Sequence, residues 1–137
     1  MAHVDIFGDV HGDYTYTRRF LSAVHEKKPS VVFLEMLPCG DFHPATYESQ
    51  LHYFGAYYKT LIKELCGVSR VVGLELPRHR PYTGKHARFK NAVYRAIGGI
   101  ERDWAKTITA MGESHAMVFV GNLHVQPLKE IMSVHDV

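Results

Sequence analysis

Cysteine is nearly absent: Cys39 and Cys66 are the only two in 137 residues, and neither belongs to a Cys-x-x-Cys pair. That is too few for a disulfide framework, and two reduced thiols in a cytoplasmic protein are expected. No apolar run approaches the roughly 20 residues needed to cross a bilayer, so no membrane association is expected. A strand-like segment begins almost at Met1, so no secretory leader is expected. Net charge is also scarce, at +2 with histidine neutral. The chain as a whole is therefore no general polyanion binder and carries no strong nucleic-acid signal. Low-complexity segments and disordered linkers are missing too.

What is present fits one α/β domain over residues 1–137, long enough for a real core. Ten histidines raise the prospect of metal, proton-transfer or pH-dependent chemistry. The hydrophobic pattern alternates between strand and helix. Strands are predicted over about residues 3–7, 31–35, 70–75 and 116–120. Helices are predicted over about 14–26, 45–66, from 85 to 111 with a weak point at Gly98-Gly99, and 127–132. In the second helix Tyr47, Leu51, Phe54, Tyr58, Leu61, Ile62 and Leu65 form one apolar face, while His52, Tyr53 and Tyr57 lie off it. Such alternation argues for a mainly parallel sheet of about four strands with helices on both faces. The first strand carries His3 and Asp5, so one of its faces is expected to be partly open.

All four strands end in groups able to handle protons or metals. Gly8-Asp9-Val10-His11 closes the first, Glu35 the second, Glu75 the third, and Gly121-Asn122-Leu123-His124 the fourth. Parallel strands share one carboxyl edge, where ligands of open α/β sheets bind, so these residues are expected to meet there. His11 and His124 are candidate general bases or metal ligands, and Glu35 and Glu75 candidate orienting carboxylates or ligands. Together the four suit a divalent zinc, manganese or iron ion. Asp9 and Asn122 are candidate substrate contacts. Arg78 and Arg80, in a basic stretch after Glu75, are a candidate anion clamp for a small anionic substrate. Taken one at a time, each of these has a duller reading as a helix cap, salt-bridge partner or solvated charge. Their repetition at four strand ends is what points to a site.

With two Gly-x-x-His turns and strand-end glutamates between them, the sequence resembles a compact member of the TraB/Tiki, ChaN-like and erythromycin-esterase-like superfamily. The matching positions are Gly8 to His11, Glu35, Glu75 and Gly121 to His124. The resemblance implies a hydrolase-like or ligand-binding α/β fold, in a group that includes metal-dependent proteases, esterases and haem binders. The chain is much shorter than the usual domain of that group, and Asp9 stands where some branches carry glutamate. Phe7-Gly8-Asp9-Val10-His11-Gly12-Asp13 also resembles the opening motif of calcineurin-like metallophosphatases, which would imply a two-metal phosphatase or phosphodiesterase. Glu35 and Leu123 break the later motifs of that family. A third reading is a non-enzymatic module that binds metal, haem or another ligand, with Tyr53 and Tyr57 on a partner surface. A hydrolase with a histidine–carboxylate site is expected, and a chain this small, with a crevice at one sheet edge, could use a second copy to wall its pocket as a homo-oligomer.

Overall fold

A computed structural model describes residues 3–10, 13–43, 56–76 and 98–135. Strand β1 covers His3–Asp9, β2 Val31–Pro38, β3 Gly40–Asp41, β4 Arg70–Glu75 and β5 His115–Gly121. Helix α1 covers Tyr14–Lys27, α2 Ala56–Val68, α3 Gly99–Met111 and α4 Asn122–His135. The strands form one five-stranded sheet in the order β1-β5-β2-β4-β3. Every pairing is parallel except that of β3 with β4. The fold is thus α/β with a mainly parallel sheet, and the short antiparallel β3 is an addition to the four strands expected. No helix among the described residues is long and apolar enough to cross a membrane.

Local chemistry accounts for the elements. Asp13 caps α1 by accepting the Thr15 amide at 2.9 Å. Lys28, in the left-handed region at φ 48°, ends the helix and donates its amide to Val24. Thr17, Phe20 and Val24 then form a buried stripe at helical spacing. Phe20 stacks on Phe119 with ring centroids 4.5 Å apart and meets Phe7 edge-on. Together with Leu61, Ile62 and Leu65 of α2, these residues form the core on one face of the sheet. On the other face Trp104, Ala105 and Ile108 of α3 and Leu128 and Met132 of α4 pack on Val31, Phe33, Val118 and Val120. Helices therefore cover both faces. Central β5 is buried from Ala116 to Val120, as a doubly covered strand requires, whereas edge strand β1 is only half-buried.

The C-terminal helix differs most from the sequence reading. It begins at Asn122, inside the second Gly-x-x-His, and Pro127 lies within it instead of opening it. Between Leu34 and Pro38 the register of β2 against β4 also slips. This irregularity folds the Leu37–Pro38 backbone over Gly73, so closely that a Cβ there would lie 2.0 Å from the Pro38 carbonyl oxygen. Cys39 is exposed, Cys66 half-buried, and both thiols are free. Burial pushes the Cys66 thiol up, which suppresses the reactive thiolate.

At the far end of the sheet Arg70 donates to both oxygens of Asp41, at 2.5 and 2.8 Å, and reaches Glu113 at 3.2 Å. The guanidinium holds Asp41 below its ordinary value of 3.8, outweighing the opposite push of desolvation. A folded-state value below the unfolded one stabilises the protein above the unfolded value, and that contribution fades as pH falls through the lowered one. Arg70→Ala is accordingly expected to lower the thermal midpoint modestly at neutral pH, since Arg70 and Asp41 are both exposed. The difference from wild type should shrink once acid protonates Asp41, which thermal melts at pH 7 and well below the lowered Asp41 value would check.

Candidate functional site

The inner strand order brings the ends of β1, β5 and β2 side by side at the carboxyl edge. Asp9 is level with Gly121, and the Gly121 amide donates across to Glu35 Oε2 at 2.8 Å. Because α4 starts immediately after Gly121, His124 sits in its first turn, over the end of the sheet. Gly8 permits this placement. A Cβ at Gly8 would lie 2.5 Å from Asn122 Oδ1 and 3.1 Å from Asn122 Cα, so any side chain would push the start of α4 away. The first glycine of each tetrapeptide therefore serves close packing or strand closure.

His124 is held between two carboxylates. Its Nδ1 lies 2.8 Å from Glu101 Oε1, and its Nε2 lies 3.5 Å from Glu35 Oε1. A carboxylate at Nδ1 suits the tautomer that carries its proton there, in which a neutral ring has its lone pair on Nε2. The two carboxylates differ in access: the Glu101 side chain is 11% exposed and that of Glu35 30%. Glu101 is thus a buried orienting group, while Glu35 can meet a ligand. Trp104 packs edge-on against the imidazole with ring centroids 4.9 Å apart, fixing the ring plane from the core side. Across the end of β5, the Tyr58 hydroxyl donates to Asp9 Oδ2 in a short hydrogen bond. Asp9 Oδ1 is buried and has no hydrogen-bond partner among the described residues. A narrow cavity of about 10 Å³ runs between Asp9 and Glu35 past Tyr58, enough for roughly one water.

Of the residues expected from sequence, the structure brings Glu35, His124, Asp9 and Asn122 to this edge, with Asn122 exposed in the first turn of α4. His11, Arg78 and Arg80 lie outside the described residues, as do His52 and Tyr53 and the side chain of Tyr57. Glu75 ends β4, one strand beyond Glu35. Pleating separates the two carboxylates: Glu35 continues the row of Val31 and Phe33, which packs on α3 and α4. Glu75 instead continues the row of Val71, which packs on the opposite face. Glu101 was not among the expected residues. Its signal was a carboxylate at a core position, since Glu101, Trp104, Ala105 and Ile108 share one buried helical stripe.

As a metal centre, the edge offers His124 Nε2 and Glu35 Oε1. Their 3.5 Å separation is near the roughly 3.3 Å between neighbouring ligands of a four-coordinate zinc ion. Glu101 behind Nδ1 matches the carboxylate that usually backs a metal-bound imidazole. Among the described residues, however, the group with three ligand atoms within 4.8 Å of one another is not here; it comprises His3, Asp5 and His115. No family model, no curated protein and no solved structure matches the chain. The fold and site define an α/β protein with a histidine–dicarboxylate cluster at its carboxyl edge.

Proposed function

We propose that the chain is a hydrolase, similar in its site to the TraB/ChaN/erythromycin-esterase-like group, acting on an activated acyl or phosphoryl centre. The observation that carries this reading is the Glu101–His124–Glu35 arrangement: a buried carboxylate on Nδ1 and a reachable one beside Nε2. It reproduces the division of labour in which a carboxylate orients an imidazole and the opposite nitrogen moves the proton.

In this mechanism a water beside Nε2 attacks the electrophilic centre as His124 accepts its proton. Glu101 stays ionised and stabilises the imidazolium at Nδ1. The Nε2 proton then passes to the leaving group, returning the neutral ring. Glu35, fixed through Oε2 by the Gly121 amide, keeps Oε1 free to orient the water. Alternatively, His124 Nε2 and Glu35 would hold a divalent zinc, manganese or iron ion, with His11 as a further ligand, and Nε2 would then serve as ligand in place of base. When bound, such an ion supplies Lewis-acid polarisation of the substrate oxygen. Arg78 and Arg80 are proposed to bind an anionic substrate group.

The test is turnover of p-nitrophenyl acetate and bis(p-nitrophenyl) phosphate by the full chain, beside Glu35→Gln, with and without added zinc, manganese or ferrous ion. Turnover of at least one probe is expected, falling about 100-fold in Glu35→Gln, the scale of a mispositioned reacting group. Turnover of neither probe under any metal condition would count against the hydrolase reading and favour a binding module.

A further inference from the structure

The opposite, amino edge of the sheet holds a second polar cluster that the hydrolase reading does not use. His3 and Asp5 are two apart on β1 and so share a face. Parallel register pairs His3 with His115 at the start of β5, which brings the second imidazole to the same face. The three side chains converge closely: His3 Nε2 lies 3.2 Å from Asp5 Oδ1, and His115 Nε2 lies 3.0 Å from Asp5 Oδ2. One nitrogen from each ring and a carboxylate oxygen all lie within 4.8 Å of one another. The two imidazole rings are 5.0 Å apart and inclined at 59°, so their Nε2 atoms approach one region from different directions.

We propose that His3, Asp5 and His115 form a binding site for one divalent transition ion of the zinc class. Two neutral imidazoles and a carboxylate are the donors such ions prefer, and the near-3 Å spacings approach the roughly 3.3 Å between ligands on a tetrahedral ion. Three protein ligands leave a coordination position for water or an exogenous ligand, and the 68% exposure of the His3 side chain provides the entry path. The ion would tie the edge strand β1 to β5 at the end opposite the candidate active site.

Lys27 makes the proposal more specific. Its ammonium lies 3.3 Å from Asp5 Oδ2 and competes for the oxygen that also faces His115. The side chain is 45% exposed and can swing into solvent when the ion enters. Removing this competing charge should strengthen metal binding, whereas in a purely structural salt bridge it would only loosen the contact.

The experiment is titration of the tag-free full chain with cobalt(II), followed by its visible absorption, and with zinc(II), followed by the thermal midpoint. Both are run in a Glu35→Gln/His124→Gln background, which removes the donor pair of the carboxyl edge while leaving Glu101 a hydrogen-bond partner. One ion per chain is expected, with a rise in the midpoint on binding. His3→Ala, Asp5→Asn and His115→Ala should each weaken binding at least 10-fold, the lower end of what loss of even an outer-shell partner costs (about 10–100-fold). Lys27→Gln should tighten it. His3 is exposed, so its variant retains the fold and keeps the test decisive even if Asp5→Asn unfolds. No uptake, or uptake undiminished in folded His3→Ala and His115→Ala, would overturn the proposal without touching the hydrolase reading.

Discussion

His124→Gln is expected to lose 100- to 10,000-fold in hydrolytic rate while keeping its fold, about 3–5 kcal/mol of transition-state stabilisation. Glutamine is a good helix former and suits the first turn of α4. Its amide can still donate to Glu101, so the buried carboxylate keeps a partner, but no basic nitrogen remains to face Glu35. His124→Ala would be a less clean test. It preserves helix propensity but strands Glu101, which is 8% exposed, with its principal hydrogen bond removed. That loss should cost roughly 1–3 kcal/mol of stability in addition to activity. Comparing the two variants by rate and by urea midpoint separates the proton-handling role from the packing role. Glutamine at wild-type stability with wild-type rate would remove His124 from the chemistry.

Gly73→Ala is expected to be the most damaging single methyl in the sheet. The added Cβ would lie 2.0 Å from the Pro38 carbonyl oxygen and 2.4 Å from that of Leu37. Both obstacles are backbone, so no side chain can rotate aside. Relief requires moving the end of β2, which carries Glu35 and its bond to Gly121. A cost of about 3 kcal/mol is expected, the upper end of ordinary overpacking. It should read as a thermal midpoint lower by roughly 10 °C, with activity reduced because Glu35 shifts. Gly67→Ala is the control, since nothing lies within 4 Å of that position. Equal midpoints for the two variants would show that β2 does not fold back over Gly73.

The alternation of strands and helices was legible because it rests on periodicity: Phe20 and Val24 on α1, or Val71 and Val72 on β4, bury where their spacing says they should. The convergence of Glu35 with His124 was legible too, since both follow strands of one parallel sheet. Strand order was not, and it decides the site: β5 enters between β1 and β2, so Gly121 rather than Asp9 becomes the neighbour of Glu35 on that side. Register was the second hidden variable. Val31 pairs with Arg70 and Leu34 with Gly73, so Glu35 falls in the row of Leu74 and Glu75 in the opposite one. Read along the chain, Val-Val-Phe-Leu-Glu and Val-Val-Gly-Leu-Glu look equivalent; across the sheet they are one residue out of step. Glu101 lay hidden for a different reason. It sits among ordinary helix formers, and only its place on a stripe with Trp104 and Ile108 marks it as buried.

Glu101 is proposed to act through His124, and a double-mutant cycle on the hydrolysis rate reads that coupling. Glu101→Gln and His124→Gln are measured alone and together on whichever p-nitrophenyl probe the wild type turns over. A large loss is expected for each single variant and almost no further loss in the double, because an orienting carboxylate has nothing to orient once the imidazole is gone. Losses that simply multiply would show two independent groups and contradict the account.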